Sequence, residues 1–284
     1  MVKHKVRPPF AYFGGKYNQL EHILKHFPPH HTYVEVFGGA ASVLLNKQPS
    51  QIEVYNDVNS GLVNFMRVLR DNETELIRRL SLTPYSRGEY LNCLHNWSNC
   101  DDPVERARMW YFVAATSYNG RFGHSFRVSS TQASSGMSAF VKTYYSNVAS
   151  LYAVANRMCR AIIECLDFEE VFKRYDEENT LFYCDPPYVP DTRHRESTYE
   201  HEMSYKDHER LVGTLLSIKG MVVLSGYENE LYRNTLERNG WSTVSYSVTT
   251  ASNASASIKG PKRTETLWLS PSVQEKLFGH VMVT

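Results

Sequence analysis

Short apolar strands alternate with amphipathic helices in two stretches of this sequence, and the alternation stops between them. Residues 17–27 place Leu20, Ile23, Leu24 and Phe27 on one helical face. Tyr33–Val36 then reads as a strand, Phe37–Ala41 as a tight turn, and Ser42–Lys47 as the start of a helix. Ile52–Tyr55 is a second strand ending at Asn56-Asp57, and Leu62, Phe65, Met66 and Leu69 mark a helix after it. Such alternation implies a parallel sheet covered by helices. From about Asn72 to Arg160 only helix-like stretches appear, clearest over Pro103–Tyr118 and Asn147–Arg160. The polar run Ser129–Gly136 between them reads as a loop. The alternation resumes with strands at Ala161–Cys165, Thr180–Cys184 and Met221–Leu224, and with closing strands at Ser242–Val248 and Thr266–Leu269. A helix opens at Ser204, whose pairing with Asp207 matches a capping box, and another covers Glu228–Asn239. The expected organisation is therefore an α/β domain from residues 1–71 and 161–284, with a helical insert over 72–160.

Composition narrows the class. The chain has 284 residues, a formal net charge of +1 and 42% apolar residues, so no global basic field marks a polyanion partner. No apolar stretch approaches the length of a membrane span, and the N-terminus has no signal-peptide core, so a cytoplasmic protein without a membrane partner is expected. Five cysteines without a CxxC pair argue against a disulfide framework or a cysteine-rich zinc site; reduced, mostly buried thiols are expected. His194, His201 and His208 recur every seven residues. His194-Arg-Glu196 has only half of a deaminase signature and His201 fails HExxH, so no metal site is expected. Asp207–Arg210 reads as the exposed start of a helix.

Three constellations carry chemistry. Phe13-Gly14-Gly15-Lys16 precedes the first helix, where paired glycines admit a ligand and a helix N-terminus favours anions. Glu35 leads into the Gly38-Gly39 turn, and Asp57 follows nineteen residues after Gly38. A glycine turn between strand and helix, with an acid about twenty residues on, is the logic of nucleoside binding. GxGxxG is absent, so a nucleoside without a pyrophosphate fits better than a dinucleotide. The third constellation, Asp185-Pro186-Pro187-Tyr188, follows a strand at the sheet edge where ligands bind. Its carboxylate and a rigid carbonyl can accept both hydrogens of an amino group on a planar heterocycle, and its aromatic ring can stack on that heterocycle.

The ordered set FGGK, VEVFGGA, YNDVN, DF and DPPY, with an insert before DPPY, resembles the Dam-type DNA adenine N6-methyltransferases of the α arrangement. The likeness runs from about Pro8 to Asp57 and from Ile162 to Pro271. It implies a Rossmann-like class I methyltransferase sheet, mixed and seven-stranded, whose inserted helical region is the target-recognition domain. It implies S-adenosylmethionine as cofactor, contacted by Tyr12 and Lys16, by Glu35, Gly38 and Gly39 under its methionine part, by Asp57 at the ribose, and by Asp167 and Phe168 near the adenine. Asp185, also counted among the cofactor contacts, then forms the catalytic motif with Pro186 and Tyr188. The resemblance also implies double-stranded DNA, met in the nucleoid, as substrate and a cognate restriction endonuclease as a candidate partner.

Tyr118-Asn119-Gly120 resembles the family's YNG at a DNA-contacting turn. Arg121 stands where the family often has NGLxR, so no target sequence is assigned. Arg121, Arg127 and Lys142 interleave with Tyr118, Phe122, Phe126, Tyr144 and Tyr145, a mixture suited to phosphate contact and wedging. Arg193 and Arg195, with Lys259, Lys262 and Arg263, complete the expected DNA-facing set. Cytosine N4 poses the same amino-group problem but more often has Ser before the two prolines, so Asp185 favours adenine. A catalytically inactive DNA-binding module and an RNA adenine methyltransferase are the other readings.

Overall fold

The computed structural model describes residues 5–12, 14–189, 202–249 and 262–279. Nine strands and ten α-helices are assigned among them. In chain order they are α1 (Leu20–Leu24), β1 (Thr32–Glu35), β2 (Ile52–Asn56), α2 (Ser60–Asp71), α3 (Glu73–Leu82), α4 (Arg87–Asn96), α5 (Pro103–Thr116), β3 (Ala133–Ser134), β4 (Met137–Ser138), α6 (Ala139–Met158), β5 (Ala161–Glu164), α7 (Phe168–Tyr175), β6 (Thr180–Cys184), α8 (Tyr205–Leu215), β7 (Met221–Gly226), α9 (Glu230–Thr235), β8 (Ser242–Thr249), β9 (Lys262–Leu269) and α10 (Pro271–Phe278).

Seven strands form one mixed sheet in the order β5-β2-β1-β6-β7-β9-β8. The first five are mutually parallel, while β9 runs antiparallel to both β7 and β8. Period-two alternation sends side chains to two cores. Tyr33, Tyr55, Leu181, Tyr183, Val223, Leu267 and Leu269 meet residues of α1, α2, α3, α5, α6 and α10 on one face. Val34, Val54, Phe182, Val222, Leu224 and Trp268 meet α7, α8 and α9 on the other. Side-chain caps fix where the helices begin: Asn59 accepts from Leu62 N, Asp102 precedes Pro103, and Ser204 with Asp207 closes the expected capping box.

The helices of segment 72–160 share the core of the first face. Phe65 of α2 stacks on Tyr111 of α5 at 5.0 Å, and Phe10 packs edge-on against Trp110 at 5.4 Å. Helix α6 starts earlier than its apolar periodicity suggests. The polar run 129–136 is also more ordered than a loop, because β3 and β4 form a two-stranded hairpin. Ser135 (φ 53°) and Gly136 (φ 76°) take the positive dihedrals of a type I′ turn.

Three further expectations are corrected. Residues 42–46 form turns rather than a regular helix, because Leu44 N donates to the Glu35 carboxylate instead of entering a helical ladder. Of the five cysteines only Cys93 and Cys184 are buried, and Cys159 and Cys165 are exposed. His208 is fully buried rather than exposed, its Nδ1 hydrogen-bonded to Tyr232 Oη at 2.8 Å. Among the described residues no helix is long and apolar enough to cross a membrane.

Candidate active site

Strand order reverses between β1 and β6, and a crevice opens at their carboxyl ends, where open α/β sheets bind ligands. A solvent-open cleft of about 750 Å³ lies there, walled by Tyr12, Lys16, Glu35, Gly38, Gly39, Asp57 and Asp185 among others. Seven residues from three separate motifs thus face one space. Phe37, Val58 and Asn59, which stand inside the quoted motifs without having been assigned a contact, also line it, as does Tyr183.

Each wall has a physical reason. Glu35 ends β1, and its Oε2 accepts hydrogen bonds from Leu44 N and from Tyr33 Oη, both at 2.7 Å. Burial drives this carboxyl up to about 8. The turn that follows needs Gly38: an added Cβ would lie 2.2 Å from the Tyr55 ring, whose hydroxyl is anchored on Gly39 O at 2.7 Å. Asp57 clamps the same turn by accepting from Gly39 N with Oδ2 and from Asn59 N with Oδ1, each at 2.9 Å. Asn56 ties the edge together, donating to Val36 O and Leu166 O and accepting from Leu166 N.

Lys16 is not the open anion site that its place before a helix suggested. It is 3% exposed, and its ammonium pairs with Asp185 Oδ1 at 2.8 Å. It also donates to Gly14 O at 3.1 Å and to Tyr188 Oη at 2.6 Å. Tyr188 Oη in turn donates to Glu265 Oε2 at 2.6 Å. Burial raises the Asp185 carboxyl to about 6; Lys16 opposes that rise and the Glu265 charge adds to it. The Tyr188 ring is 9% exposed, with Tyr227 edge-on at 4.5 Å. Arg263 Nη1 reaches the Tyr227 hydroxyl at 3.1 Å, so a cation stands beside the Tyr188–Tyr227 ring pair.

Asp167 and Phe168 do not line this cleft. Asp167 caps α7 through Glu169 N and pairs with Arg210 at 3.1 Å, while Phe168 is buried against Phe37. Both follow directly on Leu166, which Asn56 fastens beside Asp57.

The family model of the D12 class N6 adenine-specific DNA methyltransferases matches residues 12–250. The chain belongs to this family. A DNA adenine methylase of Salmonella typhi is 27% identical over 238 residues, spanning 81% of this chain and 84% of that protein. The DNA adenine methylase of Escherichia coli K12 is 29% identical over 190 residues, spanning 66% of each chain. A DNA N-6-adenine-methyltransferase of Escherichia phage P1 is 27% identical over 242 residues, spanning 81% of this chain but 31% of its own length.

In this D12-class methyltransferase the expected DNA-facing residues divide. Tyr118 is 45% exposed at the tip of a turn in which Asn119 takes a positive φ of 57°. Gly120 packs on the backbone of Ala11, since a Cβ there would meet Ala11 O at 2.6 Å. Arg121 is half-buried beside it. Arg127 lies over the Phe140 ring at 4.2 Å, and Lys142 ties α6 to the hairpin through Ser135 Oγ at 2.7 Å. Of the aromatics expected to wedge, Phe126 and Tyr144 belong to the core and Phe122 stacks on Trp110 at 5.3 Å. Tyr118 and Tyr145 remain exposed. Phe122 and Phe126, each flanked by an arginine and a small residue in sequence, gave no sign of which way they would turn. Arg193, Arg195 and Lys259 lie outside the described residues, as does the Lys262 side chain.

Proposed function

We propose that this adenine-specific DNA methyltransferase transfers a methyl group from S-adenosylmethionine to N6 of an adenine turned out of double-stranded DNA. The observation that carries the reading is the shared wall: Asp185 closes the glycine-and-acid cleft and is bridged by Lys16 to Tyr188. The donor set suits the cofactor. Glu35, Asp57 and Asp185 bring carboxyl groups to a ligand with a sulfonium and an ammonium, Asp57 retains lone pairs for ribose hydroxyls beside the two amides it accepts from, and Phe37 and Val58 offer apolar surface to a base. When bound, that cofactor supplies an electrophilic methyl group.

The protein's own task is positioning. Turning out the adenine costs about a few kcal/mol, and stacking on Tyr188 returns roughly 1–3 kcal/mol of it. The Asp185 carboxylate and the Pro186 carbonyl accept the two amino hydrogens, which draws the nitrogen lone pair out of conjugation and aims it. Asp185 must be ionised to accept, and with its carboxyl at about 6 it is so at neutral pH. Residues 72–160 take the role of target reader, with Tyr118, Asn119, Arg121, Arg127 and Lys142 on the DNA side and Arg263 on the flank of the catalytic motif.

Labelled methyl transfer to duplex DNA, followed by digestion and mass analysis of the nucleosides, tests this. N6-methyladenine from the parent and none from Asp185→Ala is expected. N4-methylcytosine would move the reading to cytosine, preference for RNA would move it to RNA adenine, and no transfer on varied DNA would leave a binding module.

A further inference from the structure

A carboxylate outside every motif completes the catalytic end of the cleft. Glu265 lies on β9, is 4% exposed, and accepts a 2.6 Å hydrogen bond from the Tyr188 hydroxyl. Strand register brings it there. β9 pairs antiparallel with β7, setting Thr266 against Gly226, so residue 265 comes to the carboxyl edge of β7 beside the Asp185–Tyr188 loop. Glu265 alternates with Leu267 and Leu269, both core residues, so a charge interrupts an apolar stripe. A buried carboxylate costs solvation unless it is partnered.

The donor inventory explains why an acceptor is required. An ammonium has three donors and no acceptor. Lys16 donates to Gly14 O and to the Tyr188 oxygen, and sets its charge against Asp185. The phenol therefore receives from Lys16 and must place its own proton elsewhere, in a site where an unmet donor is costly. Tyr246 faces Glu265 across the β8–β9 register, but its hydroxyl donates to Gln19 Oε1 at 2.8 Å.

We propose that Glu265 is a positioning residue for methyl transfer: by accepting from Tyr188 it fixes the phenol ring and holds the Lys16 ammonium against Asp185. This rests on the roles assigned above to Asp185 and Tyr188. Titration offers a second signature, because the groups around the pair are Lys16, Tyr188, Tyr246 and Asp185, and the Glu265 charge opposes ionisation of Asp185.

The test is single-turnover transfer from labelled S-adenosylmethionine to duplex DNA from pH 5.5 to 9, with cofactor affinity measured by calorimetry. The variants are Glu265→Ala, Glu265→Gln, Tyr188→Phe and the Ala/Phe double. Misplacing a reacting group by an ångström costs on the order of 10²-fold, so Glu265→Ala should slow transfer about 10–100-fold with cofactor affinity within about twofold of the parent. Tyr188→Phe should lose a comparable factor, and the double should be no slower than the worse single. Glu265→Gln, which keeps an acceptor, should recover most of the rate and move the acid limb to lower pH. A Glu265→Ala rate within twofold of the parent, multiplying losses in the double, or an unmoved limb in Glu265→Gln overturns the proposal. If Glu265→Ala fails to fold, the Glu265→Gln limb decides alone. A parent that transfers no methyl to DNA overturns the underlying reading as well, before any variant is compared.

Discussion

Replacing Lys16 by methionine isolates the charge that stands against Asp185. Methionine keeps an unbranched apolar stem and removes the ammonium. Burial has already pushed the Asp185 carboxyl to about 6, and Lys16 is what holds it from rising further. A hydrogen bond to a charged partner contributes about 1.5–3 kcal/mol, which is roughly one to two pH units at about 1.4 kcal/mol each. The acid limb of the transfer rate should then move from about 6 to about 7–8. At pH 7 the ionised fraction falls from about nine-tenths to between about a half and a tenth. The expected loss at pH 7 is thus about 2–10-fold, recovered by pH 9. Single-turnover rates at saturating cofactor, taken from pH 5.5 to 9, read the shift directly. A uniform loss from the missing hydrogen bond to Tyr188 would lower the whole curve without moving the limb. Equal loss at pH 7 and pH 9, with the limb still near 6, refutes the reasoning.

Glu35→Gln tests the other buried carboxyl. Its folded value of about 8 lies above the ordinary one of 4.5, so the unfolded chain ionises first and stability falls as pH rises between them, by about 3 kcal/mol at pH 7. Urea unfolding at pH 5.5 and 7.5 should show that fall in the parent relative to Glu35→Gln, and parallel curves would contradict it. Gly38→Ala drives a methyl into a buried ring that cannot retreat without releasing Gly39 O. Overpacking and the lost bond together should cost about 2–5 kcal/mol; an unchanged thermal midpoint speaks against the turn described. Tyr118→Ala should weaken opening of the target site by about 1–3 kcal/mol, seen as reduced fluorescence of 2-aminopurine at the target base. Cofactor affinity should stay constant, and undiminished fluorescence removes Tyr118 from the DNA side.

The sheet was legible because its strands are short, apolar and separated by helical periodicity, and because Ser204 with Asp207 announces a helix start by its own hydrogen bonds. The cleft was legible where chemistry forces residue type: Gly38 is dictated by the Tyr55 ring, and Asp57 by two backbone amides. The antiparallel end was less so. Glu265 touches Tyr188 across 77 residues of chain, a distance no local pattern encodes. Its one sequence signal is an acid on the same strand face as Leu267 and Leu269. The hairpin at 133–138 hid in a serine-rich run because its specification is Ser135-Gly136 backbone geometry rather than hydrophobicity. Phe126 and Tyr144 were misread as exposed wedges because aromatic character alone does not distinguish a core ring from a contact ring.

Among the described residues β9 is the last strand of the sheet in chain order, yet it lies between β7 and β8 rather than at an edge. Until residues 262–269 emerge, β8 has no neighbour and β7 exposes an unpaired edge. Glu265 arrives on that same strand. Closing the sheet and completing the polar chain from Asp185 through Lys16 and Tyr188 therefore depend on the same strand. A chain without residues 262–269 can carry Lys16, Asp185 and Tyr188 and still lack the carboxylate that the Tyr188 hydroxyl donates to.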